Sequence, residues 1–121
     1  MSELDIIHAK LAAFADARDW HQSHSPKNLA MALSVEVAEL MEHFQWLTEA
    51  QSNTLPADAI QAVSEEIADV QMYLLLLSQQ LNVDVVDAVH KKMQKNEIKY
   101  PVDQVKGKAH KYSAYTAEKN E

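Results

Sequence analysis

The sequence contains no cysteine and very little glycine or proline, with one Gly and three Pro in 121 residues. Without cysteine, a disulfide, a thiolate zinc site and a thiol nucleophile are all excluded. Tight β-hairpins depend on glycine and Asn-Gly pairs, so a sheet with such turns is not expected. These absences favour an all-α fold whose chemistry comes from carboxylates, imidazoles, lysines and aromatic rings.

Long apolar runs and positive charge are also scarce. The longest apolar run spans residues 72–77, whereas a membrane-spanning helix needs roughly 18 residues. The N-terminal segment is acidic and amphipathic, unlike a signal peptide. The net charge of −7 argues against nonspecific duplex binding, because that binding depends on neutralising phosphates. We therefore expect a soluble, cytoplasmic protein that binds neither nucleic acid nor membrane.

The spacing of apolar residues predicts four helices. The first contains Leu4, Ile7, Leu11 and Phe14 and ends before a polar loop at residues 20–25. The second covers residues 26–47 and the third residues 56–81, each with a proline at its start. The fourth begins near the capping candidates Asn82 and Asp84 and stops at Pro101.

Four helices with short connections predict one bundle-like domain at residues 1–101, followed by a polar tail at residues 102–121 that is extended or partly disordered. The third helix is apolar nearly all round at residues 74–77. That is more apolar surface than one small domain can cover, which predicts a partner subunit.

Two predicted helices carry the same acidic pattern. Glu36 and Glu39 on the second helix, and Glu66 and Asp69 on the third, are pairs at i and i+3 on a shoulder of an apolar stripe. If the helices pack antiparallel, these four carboxylates converge, and their repulsion requires a cation. Oxygen ligands favour Mg²⁺, with Mn²⁺ or Ca²⁺ as alternatives, and Mg²⁺ typically bridges carboxylates to substrate phosphates.

Two other interpretations of the acidic residues remain open. Acidic pairs on amphipathic helices are often simply solvated. A ferritin-like di-iron site needs Glu-x-x-His on two helices, but the chain has only Asp5-x-x-His8 and Asp87-x-x-His90. The repetition of one pattern on two helices favours a divalent-metal site.

Further polar and aromatic side chains are candidates for substrate binding. Lys92, Lys95 and Lys99 lie on one side of the fourth predicted helix, with Asn96 beside them. Their charges could hold triphosphate oxygens, although a solvated lysine face is the simpler alternative.

The two tryptophans are candidates for contact with a nucleobase. Trp46 lies seven residues beyond Glu39, about 10 Å along a helix, while Trp20 belongs to the polar loop. Each could instead pack in the core or at an interface. His24 is a candidate donor to a base or a phosphate.

Six stretches of the sequence carry a resemblance to a known family. They are Arg-Asp-Trp-His-Gln-Ser-His at 18–24, Pro-Lys-Asn-Leu at 26–29, Glu-Val-Ala-Glu-Leu at 36–40, Phe-Gln-Trp at 44–46, Glu-Glu-Ile-Ala-Asp-Val at 65–70 followed by Tyr73, and Lys-Asn-Glu-Ile-Lys-Tyr-Pro at 95–101. In order and spacing they resemble the MazG-like nucleotide pyrophosphohydrolases, and most closely the dCTP pyrophosphatase branch. The similarity covers roughly residues 8–101.

The resemblance implies a function and a set of site residues. Members of that family hydrolyse the α–β phosphate linkage of (deoxy)nucleoside triphosphates, clear surplus or noncanonical nucleotides, and assemble as dimers or tetramers. The implied Mg²⁺ ligands are Glu36, Glu39, Glu66 and Asp69. The implied substrate-binding residues are Trp20, His24, Trp46 and Tyr73 around the base and Lys92, Asn96, Lys99 and Tyr100 near the phosphates.

We expect metal-assisted hydrolysis in which Mg²⁺ neutralises developing charge and activates a water, while Glu36 or Glu39 accepts the proton. The substrate range is expected to include dCTP or a modified dCTP. One position departs from that branch, because Leu11 stands where a histidine is common, and His8 one turn earlier is a candidate replacement. A catalytically silent nucleotide sensor and a structural interaction bundle remain alternative functions.

Overall fold

The computed structural model describes residues 1–107, and every regular element in that range is helical. The helices are α1 (Glu3–Ala17), α2 (Pro26–Glu42), α3 (Glu49–Ser52), α4 (Ala57–Gln80), α5 (Val85–Lys99) and α6 (Val102–Val105). A 3₁₀ turn at Trp20–Gln22 follows α1. The all-α prediction and its four long helices are confirmed. None of the helices in the described part is long and apolar enough to cross a bilayer.

The described residues form two compact units, one at Met1–Val83 and a second that begins at Asp84. In the first unit, α2 packs along α4, and α1 packs on both α4 and the 3₁₀ turn. The buried apolar residues are contributed by these three helices: Ala15, Leu29, Val63 and Leu75. The pairing of α2 with α4 is what brings the predicted acidic residues together.

Side-chain caps explain where the helices begin. The Ser2 hydroxyl accepts from the Asp5 backbone N–H at 3.2 Å, and the Asp5 carboxylate accepts from Ser2 in return. Ser25 caps α2 by accepting from the Asn28 N–H at 3.1 Å. Such caps satisfy backbone donors that the first turn of a helix leaves without partners. Asp84 caps α5 in the same way.

The second predicted helix is too long at its C-terminal end. It was expected to cover residues 26–47, but α2 ends at Glu42 and the chain continues in turns through Phe44 and Trp46. Thr48 adopts extended backbone and forms a capping box with Gln51, which starts α3. Because an N-cap residue is non-helical, this second cap is incompatible with a helix continuing through residue 48.

Asn82 closes α4 and does not cap α5. Its φ is 55°, in the left-handed region, and its N–H donates to the Gln79 carbonyl at 3.2 Å while the Val83 N–H donates to the Ser78 carbonyl at 2.9 Å. This pair of bonds is the Schellman motif. Of the two predicted capping residues, Asp84 alone caps the following helix.

The segment after Pro101 begins with structure where an extended or disordered tail was expected. Residues 102–105 form the short helix α6, which Pro101 precedes. The remainder of the predicted tail, residues 108–121, lies outside the described residues.

Candidate metal and nucleotide site

Three of the four predicted metal ligands form a cluster between α2 and α4. Glu36 and Glu39 extend from consecutive turns of α2, and Glu66 extends from α4. One carboxylate oxygen of each lies within 4.8 Å of the others. All three side chains are partly buried. A set of converging oxygen donors of this kind can hold a metal ion.

Electrostatics within the cluster show how closely the carboxyl groups approach. Burial raises the pKa of Glu36 to about 7, with further contributions from a hydrogen bond to Glu39 and from the charges of Glu39 and Asp69. Glu66 contributes through a hydrogen bond. Neighbouring negative charges disfavour ionisation of this carboxyl, which indicates a site where carboxylates converge.

Two oxygens of the cluster lack hydrogen-bond partners. Within residues 1–107, Oε2 of Glu36 and Oε2 of Glu66 are buried and receive no hydrogen bond. Burying such acceptors without a partner is costly, and a bound cation would compensate for that cost. The residues present therefore fit a metal ion.

Asp69, the fourth predicted ligand, has a different position. It does not belong to the group whose oxygens lie within 4.8 Å of one another among the described residues. Its charge nevertheless contributes to the raised pKa of Glu36, and its side chain lines a neighbouring cavity. Asp69 thus connects the acidic cluster to that cavity, and its role as a ligand remains a prediction.

The cavity has a volume of about 530 Å³ and is lined by residues of α1, the loop after α1, and α4. Three predicted substrate-binding residues, Trp20, His24 and Tyr73, line it. The other lining residues are mostly apolar: Ile7, Lys10, Leu11, Phe14, Ala15, Asp69, Met72 and Leu76. An apolar cavity with a few convergent polar groups is the usual form of a small-molecule site.

The loop after α1 holds Trp20 and His24 in position. Asp19 has a φ of 54°, which turns the chain sharply before the 3₁₀ turn. The Ser23 hydroxyl donates to the Trp20 carbonyl at 3.0 Å. The Trp20 ring packs edge-on against Phe14 with 5.5 Å between ring centres. These contacts fix one aromatic wall of the cavity.

His24 completes this wall, with its ring centre 6.1 Å from that of Trp20. Its Nδ1 is buried and has no hydrogen-bond partner among the described residues. A buried nitrogen without a partner, on a residue that lines the cavity, is suited to bond with a ligand.

The structure does not place Trp46 in this cavity. Trp46 belongs to the turn after α2 and is 86% exposed. The helical spacing that aligned it with Glu39 does not apply, because α2 ends at Glu42. That part of the prediction is wrong, and contact of Trp46 with a base remains a prediction without this geometric support.

The remaining predicted site residues belong to the second unit. The charge of Lys99 is the largest cause that lowers the pKa of Lys92, and the charge of Lys95 adds to the effect. The three lysines therefore lie close together. Tyr100 follows the end of α5, where its N–H donates to the Asn96 carbonyl at 2.8 Å. The predicted clustering of the lysines is present, and their binding to phosphates remains a prediction.

Several residues that line the cavity were missed as functional candidates. Ile7 and Phe14 belong to the apolar spacing that predicts the first helix, yet they are 38% and 47% exposed because they face the open cavity. Lys10 is a charged residue at the edge of that apolar side, and this is the signal that the sequence offers. Leu11 also lines the cavity, whereas His8, its candidate replacement, is not among the described lining residues.

The sequence matches the family model described as MazG-like over residues 31–114. It is 43% identical over 112 residues to dCTP pyrophosphatase 1 of Mus musculus and 39% identical over 113 residues to dCTP pyrophosphatase 1 of Homo sapiens. Each alignment covers 91% of this chain and 66% of the relative. The chain therefore spans about two thirds of the length of these relatives.

A solved structure is similar as well. The crystal structure of a pyrophosphatase from Archaeoglobus fulgidus DSM 4304 superposes with a TM-score of 0.70 and 40% sequence identity, covering 84% of this chain and 94% of that chain. The resemblance of the motifs, the family model and the shared helical fold agree. This chain belongs to the MazG-like family.

Proposed function

We propose that the chain is a metal-dependent pyrophosphohydrolase that cleaves nucleoside triphosphates into the monophosphate and pyrophosphate. The observation that carries the proposal is the continuity of two sites through Asp69. The acidic cluster of Glu36, Glu39 and Glu66 suits a metal ion at a polyphosphate, and the adjoining cavity suits a base. The names of the similar proteins, dCTP pyrophosphatase 1 and a pyrophosphatase, support this activity.

The metal is proposed to be Mg²⁺, with Mn²⁺ as an alternative, held by Glu36, Glu39, Glu66 and Asp69. Oxygen-only ligands support this choice. When bound, such an ion neutralises charge on the phosphates and makes a nearby water more acidic. The buried, unpartnered oxygens of Glu36 and Glu66 support their assignment as ligands.

Glu36 or Glu39 is proposed as the general base that takes a proton from the attacking water. A base is most effective when its pKa is close to the working pH. The metal-free pKa of Glu36, about 7, has that property, although a bound cation would lower it. Glu39 lies close enough to raise the pKa of Glu36, and it is the alternative base.

The nucleobase is proposed to bind in the cavity, against Trp20 and Tyr73 and within reach of His24. Stacking on an aromatic side chain contributes about 1–3 kcal/mol per base. Trp46 is proposed as a further contact with the base. The triphosphate is proposed to meet Lys92, Asn96, Lys99 and Tyr100. Within this range of substrates, dCTP or a modified dCTP is the proposed nucleotide, and removal of surplus or altered nucleotides is the proposed role.

The protein is further proposed to be a homo-oligomer, either a dimer or a tetramer. Four apolar side chains spaced seven residues apart on α4 are 40–54% exposed: Ile60, Ile67, Leu74 and Leu81, the last at the C-cap. Within the run at residues 74–77, Leu75 is buried. The apolar row along α4, more than the leucine run itself, is the surface that a second copy would cover.

A panel of deoxynucleoside and ribonucleoside triphosphates with Mg²⁺ tests the proposed activity. Monophosphate and pyrophosphate should appear in equal amounts, and chelation of the metal should stop their formation. Nucleotide binding without any turnover would instead support a catalytically silent sensor. Release of inorganic phosphate in place of pyrophosphate would contradict the proposed site of cleavage.

A further inference from the structure

The loop after α1 is in contact with two helices. It packs on α1 through the rings of Trp20 and Phe14. It is joined to α2 by the side-chain amide of Asn28, which donates to the Ser23 carbonyl at 2.9 Å. Because α2 also carries two of the proposed metal ligands, this bond links the wall of the cavity to the helix of the acidic cluster.

The bond from Asn28 reaches the aromatic wall of the cavity through a single residue. The backbone N–H and the hydroxyl of Ser23 both donate to the Trp20 carbonyl, each at 3.0 Å. His24 follows Ser23 directly in the chain and lines the cavity together with Trp20. A displacement of the Ser23 carbonyl would therefore move both residues of the wall.

Asn28 can fix the position of the loop because its own backbone is anchored. Its N–H donates to the capping hydroxyl of Ser25 at 3.1 Å, and the next residue, Leu29, is 1% exposed in the core. The cap uses the backbone of Asn28 and not its side chain. The side-chain amide is thus free of the helix and serves the loop.

We propose that Asn28 is a positioning residue that holds the loop after α1 against α2 and so keeps Trp20 and His24 at the wall of the cavity. Asn28 belongs neither to the described lining of the cavity nor to the acidic cluster, and it acts through the Ser23 carbonyl. This inference rests on the proposed function, since it requires the cavity to hold part of the nucleotide. Loss of the bond should weaken nucleotide binding and leave the chemical step at the metal largely unchanged.

Two substitutions of Asn28 separate a positioning role from a role in stability. Asn28→Asp keeps the size of the side chain but replaces the donor by an acceptor, which the Ser23 carbonyl repels. A carboxylate in the first turn of a helix is favourable and offsets the lost bond, so the melting temperature should stay close to that of the wild type. Asn28→Ala removes the donor without adding charge.

The two variants should change KM and kcat differently. We expect both to raise KM for dCTP roughly two- to tenfold, the range of one neutral hydrogen bond, while kcat changes less than about twofold. Asn53→Asp is the matched control, because Asn53 is exposed at the end of α3. It should leave both constants unchanged.

Trp20 emission gives a second readout that needs no nucleotide. In a Trp46→Phe background, Trp20 is the remaining tryptophan. Acrylamide should quench its emission more strongly when either Asn28 substitution is added, because a released loop exposes the ring more often. A change in stability alone would leave the quenching of the folded protein as it is.

Three results would overturn the role of Asn28. Unchanged KM or unchanged quenching in both variants would show that the bond does not hold the wall in place. A rise of KM in Asn28→Asp alone would assign the effect to the added charge, and a loss confined to kcat would assign it to the chemical step. Absence of pyrophosphate release by the wild type would refute the proposed function instead, and the quenching of Trp20 would still decide whether Asn28 holds the loop.

Discussion

At the scale of single residues, Glu36 is the most informative side chain. Burial and acidic neighbours raise the pKa of its carboxyl to about 7, against 4.5 for an ordinary glutamate, so without metal a large share of this group is protonated at neutral pH. In the metal-free protein the ionised form of this carboxyl is therefore unfavourable. A divalent cation compensates for the burial and the neighbouring negative charges, because it favours the ionised form.

The raised pKa of Glu36 predicts that the free energy of unfolding of the metal-free protein depends on pH. Between pH 4.5 and about 7 the folded protein holds a proton on Glu36 that the unfolded chain has lost. The contribution of Glu36 to the free energy of unfolding therefore falls as pH rises through this window, and it levels off above it. Glu36→Gln mimics the protonated carboxyl, so without metal it should stabilise the protein more at pH 8 than at pH 5.

Thermal melts of wild type and Glu36→Gln in chelator, at pH 5 and pH 8, measure this difference. Added Mg²⁺ should raise the melting temperature of the wild type most at pH 8 and raise that of the variant much less. A stabilisation by Glu36→Gln that does not depend on pH would show that the carboxyl has an ordinary pKa. The exposed Glu42→Gln on the same helix serves as the control.

At the scale of elements, the long helices were predictable and the segments between them were less so. The starts of α1, α2, α4 and α5 follow from Ser, Pro and Asp signals that act locally. The end of α2 was not predictable from its apolar stripe, because Phe44 and Leu47 continue the helical spacing while the capping box at Thr48 stops the helix. Local capping prevailed over periodicity there.

The candidate site also has a part that was predictable from the sequence and a part that was not. The clustering of Glu36, Glu39 and Glu66 was predictable because i, i+3 spacing on a helix fixes which face residues share. The cavity was not found, since a stripe containing Ile7 and Phe14 looks the same whether it faces a packed core or an open pocket. Periodicity shows which side of α1 faces inward, and only the neighbouring loop with Trp20 decides what fills that side.

The two tryptophans differ in their surroundings, and we expect them to differ in their effect on nucleotide binding. Trp20 is fixed by the loop after α1 and lines the cavity, whereas Trp46 is exposed on the turn after α2. We expect Trp20→Ala to raise KM roughly tenfold or more, from the 1–3 kcal/mol of a base stack, with a smaller fall in kcat. Trp46→Ala should raise KM less.

Steady-state kinetics with each variant, together with nucleotide quenching of fluorescence in Trp20→Phe and Trp46→Phe, measure these effects. Quenching should depend mainly on Trp20. If neither variant alters KM or quenching for any nucleotide, the base lies elsewhere and the cavity has another occupant.

At the scale of the whole molecule, the apolar row on α4 predicts assembly. Ile67 and Leu74, at the centre of that row, are 49% and 40% exposed. A charge at either position should weaken association because it would be buried without a partner. We expect Ile67→Lys to convert the oligomer to a monomer while far-UV circular dichroism remains helical.

Sedimentation velocity at micromolar concentration measures this outcome. Glu65→Gln, a change at an exposed residue of α4, is the control. A wild-type chain that sediments as a monomer would contradict the proposed interface directly.

If the acidic cluster holds the catalytic metal, removing one of its charges should stop nucleotide hydrolysis. Pyrophosphate release from dCTP with Mg²⁺ should be compared for wild type, Glu39→Gln, Asp69→Asn and the surface control Glu42→Gln. Turnover should be lost almost completely in the first two variants, because each removes a ligand charge and keeps the side-chain volume. Helicity should stay normal in both, and the control should keep normal activity. Near-normal turnover by Glu39→Gln or Asp69→Asn at limiting Mg²⁺ would contradict the four-carboxylate site.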